Sequence, residues 1–161
     1  MGKTTNQQIN KMSVSTKIFD NYSVALRQWK AQHSHCQLLH GYALKFKVWF
    51  TTESLDDMNW VVDFGGFKHN GLKDWMSEMF DHTLLIQSDD PYKDLFETMQ
   101  MERICKVHFL DKMGCESLAK LVFDKFNDVL SKTDAGRAKV IKVEVFENEK
   151  NSAIYQLNSE V

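Results

Sequence analysis

The chain has 161 residues, a length that suits one domain able to bury roughly two-thirds of its unfolded surface without staples. Its 20 basic and 22 acidic residues are mixed along the chain and leave a net charge of −2, which gives no electrostatic case for nucleic acid or an anionic membrane as partner. Eleven Phe, four Trp and a hydrophobic fraction of 43% exclude disorder outside the ends. Apolar runs such as Val48-Trp49-Phe50 are far too short to span a bilayer. The opening, Met1 to Met12, is polar and reads as a loose arm rather than a secretory signal. Residues 1–14 are therefore taken as a flexible arm and 15–161 as one domain. Three cysteines, an odd number with no CxxC, read as reduced thiols in a cytoplasm.

In chain order, Ser15 to Arg27 carries Ile18, Tyr22, Val24 and Leu26 in partial alternation and predicts a strand. Gln28 to Cys36 is polar and predicts a loop. From Leu38 to Thr52, Leu44, Phe46, Val48 and Phe50 alternate with Lys45, Lys47 and Trp49, which predicts a long strand. Glu53 to Asn59 suits a turn, Trp60 to Phe64 a short strand closed by Gly65-Gly66, and Phe67 to Phe80 a helix with Phe67, Leu72, Trp75, Met76 and Met79 inward. Thr83 to Ile86 predicts a short strand. Asp90-Pro91 then suits the cap and first turn of a helix to Met101. Arg103 to Phe109 predicts a strand, and Cys115 to Leu130 a helix with Leu118, Leu121, Val122, Phe126, Val129 and Leu130 at helical spacing. Lys139 to Phe146 predicts a cleanly alternating strand, with Ile141, Val143 and Val145 on one face, and Asn151 to Leu157 an edge strand. The order implies an α+β fold, an antiparallel sheet with helices on one face.

Three local features bear chemistry. In Cys36-Gln-Leu-Leu-His40-Gly-Tyr42, His40 and Tyr42 share one strand face, Gly41 allows close approach, and the Cys36 thiol is within reach of that face. A thiol beside an imidazole makes an acid–base pair; the alternative is a buried cysteine and a satisfied histidine. In Asp81-His82, a carboxylate can fix an imidazole's tautomer, provided a turn lets adjacent residues pair; otherwise His82 is simply a helix C-terminal histidine. Glu147 ends the last strong strand, where its carboxylate can accept two parallel N–H bonds from a 2-amino-4-oxo-pyrimidine ring or remain a solvated strand-end acid. Glu116, at a helix start, has an adequate role as a first-turn acid.

The order of these features resembles the 6-pyruvoyl-tetrahydropterin synthase and 6-carboxytetrahydropterin synthase family over roughly residues 17 to 155. The family pattern is F-S-A-A-H-R, C-x-x-L-H-G-H, V-x-D-F-x-x-L-K, L-D-H, T-x-E-N-L-A and V-x-V-x-E. Here it reads Tyr-Ser-Val-Ala-Leu-Arg (22–27), Cys-Gln-Leu-Leu-His-Gly-Tyr (36–42), Val-Val-Asp-Phe-Gly-Gly-Phe-Lys (61–68), Phe-Asp-His (80–82), Cys-Glu-Ser-Leu-Ala (115–119) and Val-Glu-Val-Phe-Glu (143–147). The resemblance implies a T-fold with two main helices on one side of the sheet. It also implies a homo-oligomer, typically a hexamer, with sites between subunits and a small pterin-like substrate. Cys36 would be the catalytic thiol, Asp81 and His82 its relay, and Glu147 with Glu116 the ring anchor, for chemistry of the kind that converts 7,8-dihydroneopterin triphosphate. The product class, tetrahydropterin, folate-like or deazapurine, stays open.

The sequence departs from the family at the zinc ion. The three family histidines fall on Leu26, His40 and Tyr42. Leucine has no donor, and a phenol with an unperturbed pKa of about 10 is a poor zinc ligand. His33 and His35 lie near enough in sequence to share a relocated site with His40. Three readings follow: a divergent lyase or synthase using Cys36, Asp81 and His82; a pterin- or purine-like-ligand-binding oligomer without turnover; and a zinc enzyme with a rebuilt ligand set.

Overall fold

A computed structural model describes residues 12–158. Most of the expected arm, residues 1–11, lies outside the described residues, and Ser13 and Val14 already belong to the first strand. That strand, β1 (Ser13–Leu26), pairs antiparallel with β2 (His40–Thr52) as a long hairpin. In β2 the alternation works as predicted: Leu44, Phe46, Val48 and Phe50 are fully buried. In β1 the buried set changes parity, from Phe19 to Tyr22, Val24 and Leu26. A bulge between Phe19 and Tyr22, with Asn21 at φ 64°, inserts one residue and turns Ile18 outward to solvent.

β2 continues the sheet to β5 (Lys139–Phe146) and then to the edge strand β6 (Ser152–Gln156), all antiparallel. A second bulge, at Ile141, puts Val140 on the same buried face as Val143 and Val145 and leaves Ile141 half-buried, so the clean alternation expected for this strand is broken. On the other side β1 pairs with β3 (Thr83–Gln87) and β3 with β4 (Val107–Leu110), both parallel. The sheet is thus mixed rather than wholly antiparallel, because a helix joins β3 to β4 and returns the chain to the same end. The strand order is β4-β3-β1-β2-β5-β6.

The remaining elements follow the sequence with four changes. The stretch expected as one helix is two, α1 (Gly66–His69) and α2 (Leu72–Phe80). Gly71 stands between them at φ 81°, and Asn70 Oδ1 accepts the Leu72 N–H at 3.1 Å. Trp60–Phe64 forms bends, not a strand: the Asp56 carboxylate accepts the Met58 and Trp60 N–H groups and Asp63 accepts that of Gly65. Asp90 does not cap the next helix, which is α3 (Lys93–Met101); its carboxylate accepts the Tyr92 N–H and pairs with Arg27. The strand expected from Arg103 starts only at Val107, after a turn in which Arg103 has φ 59°. The long helix α4 (Cys115–Thr133) is as predicted, with Leu118, Val122, Phe126 and Leu130 inward.

α2 and α4 pack on one face of the sheet around Phe46, Phe50, Phe67, Phe80 and Phe126. α3 covers the opposite face of β3 and β4, where Leu84, Ile86, Phe96 and Val107 form a second cluster. No helix among the described residues is long and apolar enough to cross a membrane. Phe126 is fully buried, edge-on to Phe19 and tilted against Phe50 and Phe67. Phe126→Ala is expected to cost about 3–5 kcal/mol, read as a lower urea midpoint with an unchanged m-value.

Candidate active site

The β1–β2 hairpin brings the first group of side chains together. Its loop ends in a single 3₁₀ turn, His35–Gln37, whose Ser34 Oγ accepts the Cys36 N–H at 3.1 Å. The Gln28 N–H donates to the Cys36 carbonyl at 2.7 Å and closes the loop at its base. The start of the loop is held from behind. Arg27 makes a two-pronged ion pair with the buried Asp90, at 2.8 and 3.2 Å, and lies over the Tyr92 ring. Trp29 Nε1 donates to Asp89, which also pairs with Lys30. Cys36 is left half-buried at the mouth of the hairpin.

His40 opens β2 and Tyr42 follows on the same face, their rings 5.1 Å apart and edge-to-face. The His40 Nδ1 stands 2.7 Å from the Leu38 carbonyl, which can only accept, so Nδ1 carries the proton and Nε2 is the free lone pair. Burial pushes the Tyr42 phenol up from its ordinary pKa, and Glu147, Cys36 and Cys115 push in the same direction. These three groups therefore share one neighbourhood with Tyr42.

Cys115 and Glu147 enter from α4 and from the turn after β5. The Glu147 N–H donates to the Asn151 carbonyl at 3.1 Å, which fixes the backbone there. Burial raises the Cys115 thiol to about 12, with the Glu147 carboxylate beside it and Glu116 adding to the effect. Glu116 lies in the first turn of α4, against Gly114. Gly114 has φ 119°, and a Cβ there would stand 3.0 Å from Gln28 Nε2 and 3.3 Å from Glu116 Oε2. Glycine lets these two polar ends close over the helix start, where Gln28 Nε2 also donates to the Met113 carbonyl at 3.3 Å. Gln28 and Cys115 lie at the same place, and sequence reasoning passed over both. The available signal for Cys115 was its place at the head of the T-x-E-N-like element.

Asp81 and His82 form the second group. Asp81 ends α2, and His82 adopts φ 55°, the turn that adjacent residues need in order to pair. His82 Nδ1 is 2.9 Å from Asp81 Oδ1. The hydrogen bond from His82 holds the Asp81 carboxyl below the ordinary carboxylate range, helped by the Ser23 N–H and by Lys106. The His82 side chain is 85% exposed. Asp81 is anchored at Ser23 inside β1, whereas Cys36 is anchored at Gln28, two residues beyond the end of that strand. Among the described residues no hydrogen bond links the dyad to the Cys36 thiol.

The zinc positions converge without making a zinc site. Leu26 stands directly opposite His40, 3% exposed, with Tyr42 beside them. One imidazole nitrogen, a protonated phenol and an isobutyl group do not fit the ion, which in catalytic sites takes three protein ligands. His33 and His35 are exposed on the loop, and no group of three or more His, Cys, Asp or Glu among the described residues is placed to hold a metal.

The architecture is that of a T-fold, and solved structures agree. An uncharacterised protein from Wolinella succinogenes superposes with a TM-score of 0.76 at 20% identity, covering 92% of this chain and 99% of that one. The 6-pyruvoyl tetrahydropterin synthase of Caenorhabditis elegans superposes with a TM-score of 0.63 at 19% identity, covering 92% and 97%. Residues 15–158 match the 6-pyruvoyl tetrahydropterin synthase family, and the chain belongs to that family. It is 31% identical over 126 residues, 75% of each chain, to the 6-carboxy-5,6,7,8-tetrahydropterin synthase of Aquifex aeolicus. The enzyme of that name from Rickettsia bellii is 32% identical over 75 residues, 47% of this chain and about half, 52%, of its own length.

Cys115 supplies two tests. Buried and protonated, it should resist iodoacetamide at pH 7.5 while Cys36 is labelled, as peptide mass analysis would read. A thiol whose pKa rises from 9.0 to about 12 on folding binds its proton more tightly in the native state. Its contribution to stability is complete below pH 9 and is lost as pH rises toward 12. Over that window, chemical-denaturation stability should fall more steeply for the wild type than for Cys115→Ser.

Proposed function

We propose that the chain is a divergent tetrahydropterin synthase-type lyase that binds a 7,8-dihydropterin in the slot formed by Cys36, Tyr42, Cys115, Glu116 and Glu147. The observation that carries this reading is the β2–β5 register, Phe146 opposite Lys45, which brings Glu147 to the Tyr42 end of β2, beside the hairpin mouth that holds Cys36. A carboxylate accepts two parallel N–H bonds from a 2-amino-4-oxo ring, which fixes the ring's edge and aims its substituent. The half-buried thiol then faces that substituent and exchanges a proton with it. Asp81 holds the His82 imidazole by Nδ1 and leaves Nε2 for the second proton. No step is assigned to zinc, since the residues at its place do not suit it.

The separation of dyad and thiol supports a site shared between copies, a homo-oligomer in which one subunit's Asp81–His82 completes another's slot. A hexamer is the arrangement expected from the family, and free thiols suit a cytoplasmic setting. A second reading, a pterin-binding oligomer without turnover, is favoured by Leu26 in place of a metal donor.

Fluorescence titration with a dihydropterin tests the slot. Glu147→Gln should weaken binding by about tenfold or more, as expected for loss of a charge-assisted bond worth about 1.5–3 kcal/mol. Cys36→Ala should keep binding and lose turnover; undiminished turnover would remove the thiol mechanism, and binding without turnover in the wild type would select the second reading. Mixing inactive Cys36→Ala with inactive His82→Ala should restore measurable activity through hybrid oligomers, and no recovery would confine each site to one chain.

A further inference from the structure

At the head of β2 two polar ends meet no partner among the described residues. His40 uses its Nδ1 proton on the Leu38 carbonyl at 2.7 Å, which leaves Nε2 as a bare acceptor. The Tyr42 hydroxyl, two residues on, takes part in no hydrogen bond there. The two rings are half-buried on one face of the strand, edge-to-face at 5.1 Å. Across the hairpin, Leu26 stands opposite His40 and Val24 opposite Tyr42, 3% and 2% exposed. The neighbouring strand therefore offers the pair an apolar floor and no polar side chain.

Leucine at 26 supplies no third donor atom, so the two rings act through hydrogen bonds of their own. A phenol is protonated at neutral pH and donates; the free imidazole nitrogen accepts. A donor and an acceptor side by side make a specific demand on whatever sits against them. A hydroxyl meets it, since one oxygen accepts from Tyr42 and donates to His40. A methyl group would desolvate both ends and leave them unpaired. A carbonyl would leave Nε2 without a partner, and a carboxylate would set its charge against the Nε2 lone pair.

The sheet sets this pair beside the ring anchor. Val145 stands opposite Phe46, both buried, and Glu147 is the next residue of that face, toward the Tyr42 end of β2. A ring whose edge is held by Glu147 brings its substituent toward the two rings. We propose that Tyr42 and His40 form a donor–acceptor pair that works without a metal ion and selects a ligand bearing a hydroxyl on the first carbon of its ring substituent, with Tyr42 as the specificity-determining donor. The ring assignment rests on the pterin-slot reading above; the choice of a hydroxyl rests on the pair alone.

Calorimetry in excess EDTA with 6-hydroxymethyl-7,8-dihydropterin and its 6-methyl counterpart tests the pair. Wild type should bind the hydroxymethyl compound about tenfold more tightly, the gap expected for two hydrogen bonds of ordinary strength. Tyr42→Phe keeps the ring and removes only the hydroxyl. It should lose most of the gap while keeping its affinity for the methyl compound, which also shows that the fold and slot are intact. His40→Asn keeps an N–H for the Leu38 carbonyl, removes the acceptor, and should narrow the gap in the same way. Equal binding of the two compounds by wild type, or an unchanged gap in Tyr42→Phe, overturns the proposal. So does a gap that appears only when zinc replaces the EDTA. Glu147→Gln separates the two readings, since it should weaken both compounds alike and preserve their ratio. Equal binding that Glu147→Gln weakens ends the pair alone. A gap that Tyr42→Phe closes, with affinities that Glu147→Gln leaves unchanged, ends the slot reading alone. Binding of neither compound ends both.

Discussion

Everything at the candidate site depends on the register between β1 and β2. Leu26 stands opposite His40 and Val24 opposite Tyr42, and the Gln28–Cys36 backbone bond closes the hairpin two residues further on. A slip of one residue would send every one of these side chains to the other face. The register is held by the unbroken apolar set of Leu44, Phe46, Val48 and Phe50, which cannot turn outward without exposing the core. Core packing and site geometry are thus one constraint. The buried Arg27–Asp90 pair extends it to the loop, because freeing either charge would leave its partner uncompensated in a dry place.

Much of this was readable in the residues, and the failures have physical causes. β2 and α4 carry long, regular patterns, and both appear where the periodicity puts them. Bulges defeat periodicity: one extra residue in β1 turns Ile18 outward, and one in β5 draws Val140 inside. The pattern cannot announce a bulge, since the inserted residue reads as an ordinary member of the alternation. Strand direction was equally hidden. β3 and β4 look like any short strands, and only the α3 crossover makes them parallel. Asn70-Gly71 is turn chemistry set inside a stretch whose apolar spacing on either side reads as one helix.

At the candidate site, Cys36 and Glu147 both act on the Tyr42 phenol, and Asp81 pairs with His82 because His82 takes a left-handed turn. Gln28 was not legible, since a glutamine in a polar loop reads as solvent-facing, and Cys115 was marked only by its place at the head of the T-x-E-N-like element, since a cysteine on an apolar helix face otherwise reads as core. Their roles arise from convergence, which no local pattern encodes. The distance between thiol and dyad is likewise a property of the sheet, not of either motif.

Leu26 has a consequence of its own. A side chain 3% exposed beneath the slot adds apolar burial where a ligating group would have had to be kept polar and oriented. Sites that hold ions or substrates are commonly maintained at some expense to stability, and removing a polar group from one tends to strengthen the fold. At this position the hydrophobic interior reaches up to the pair of rings at the start of β2. A histidine placed there would be a trade in the opposite direction, with a polar donor gained against a looser core.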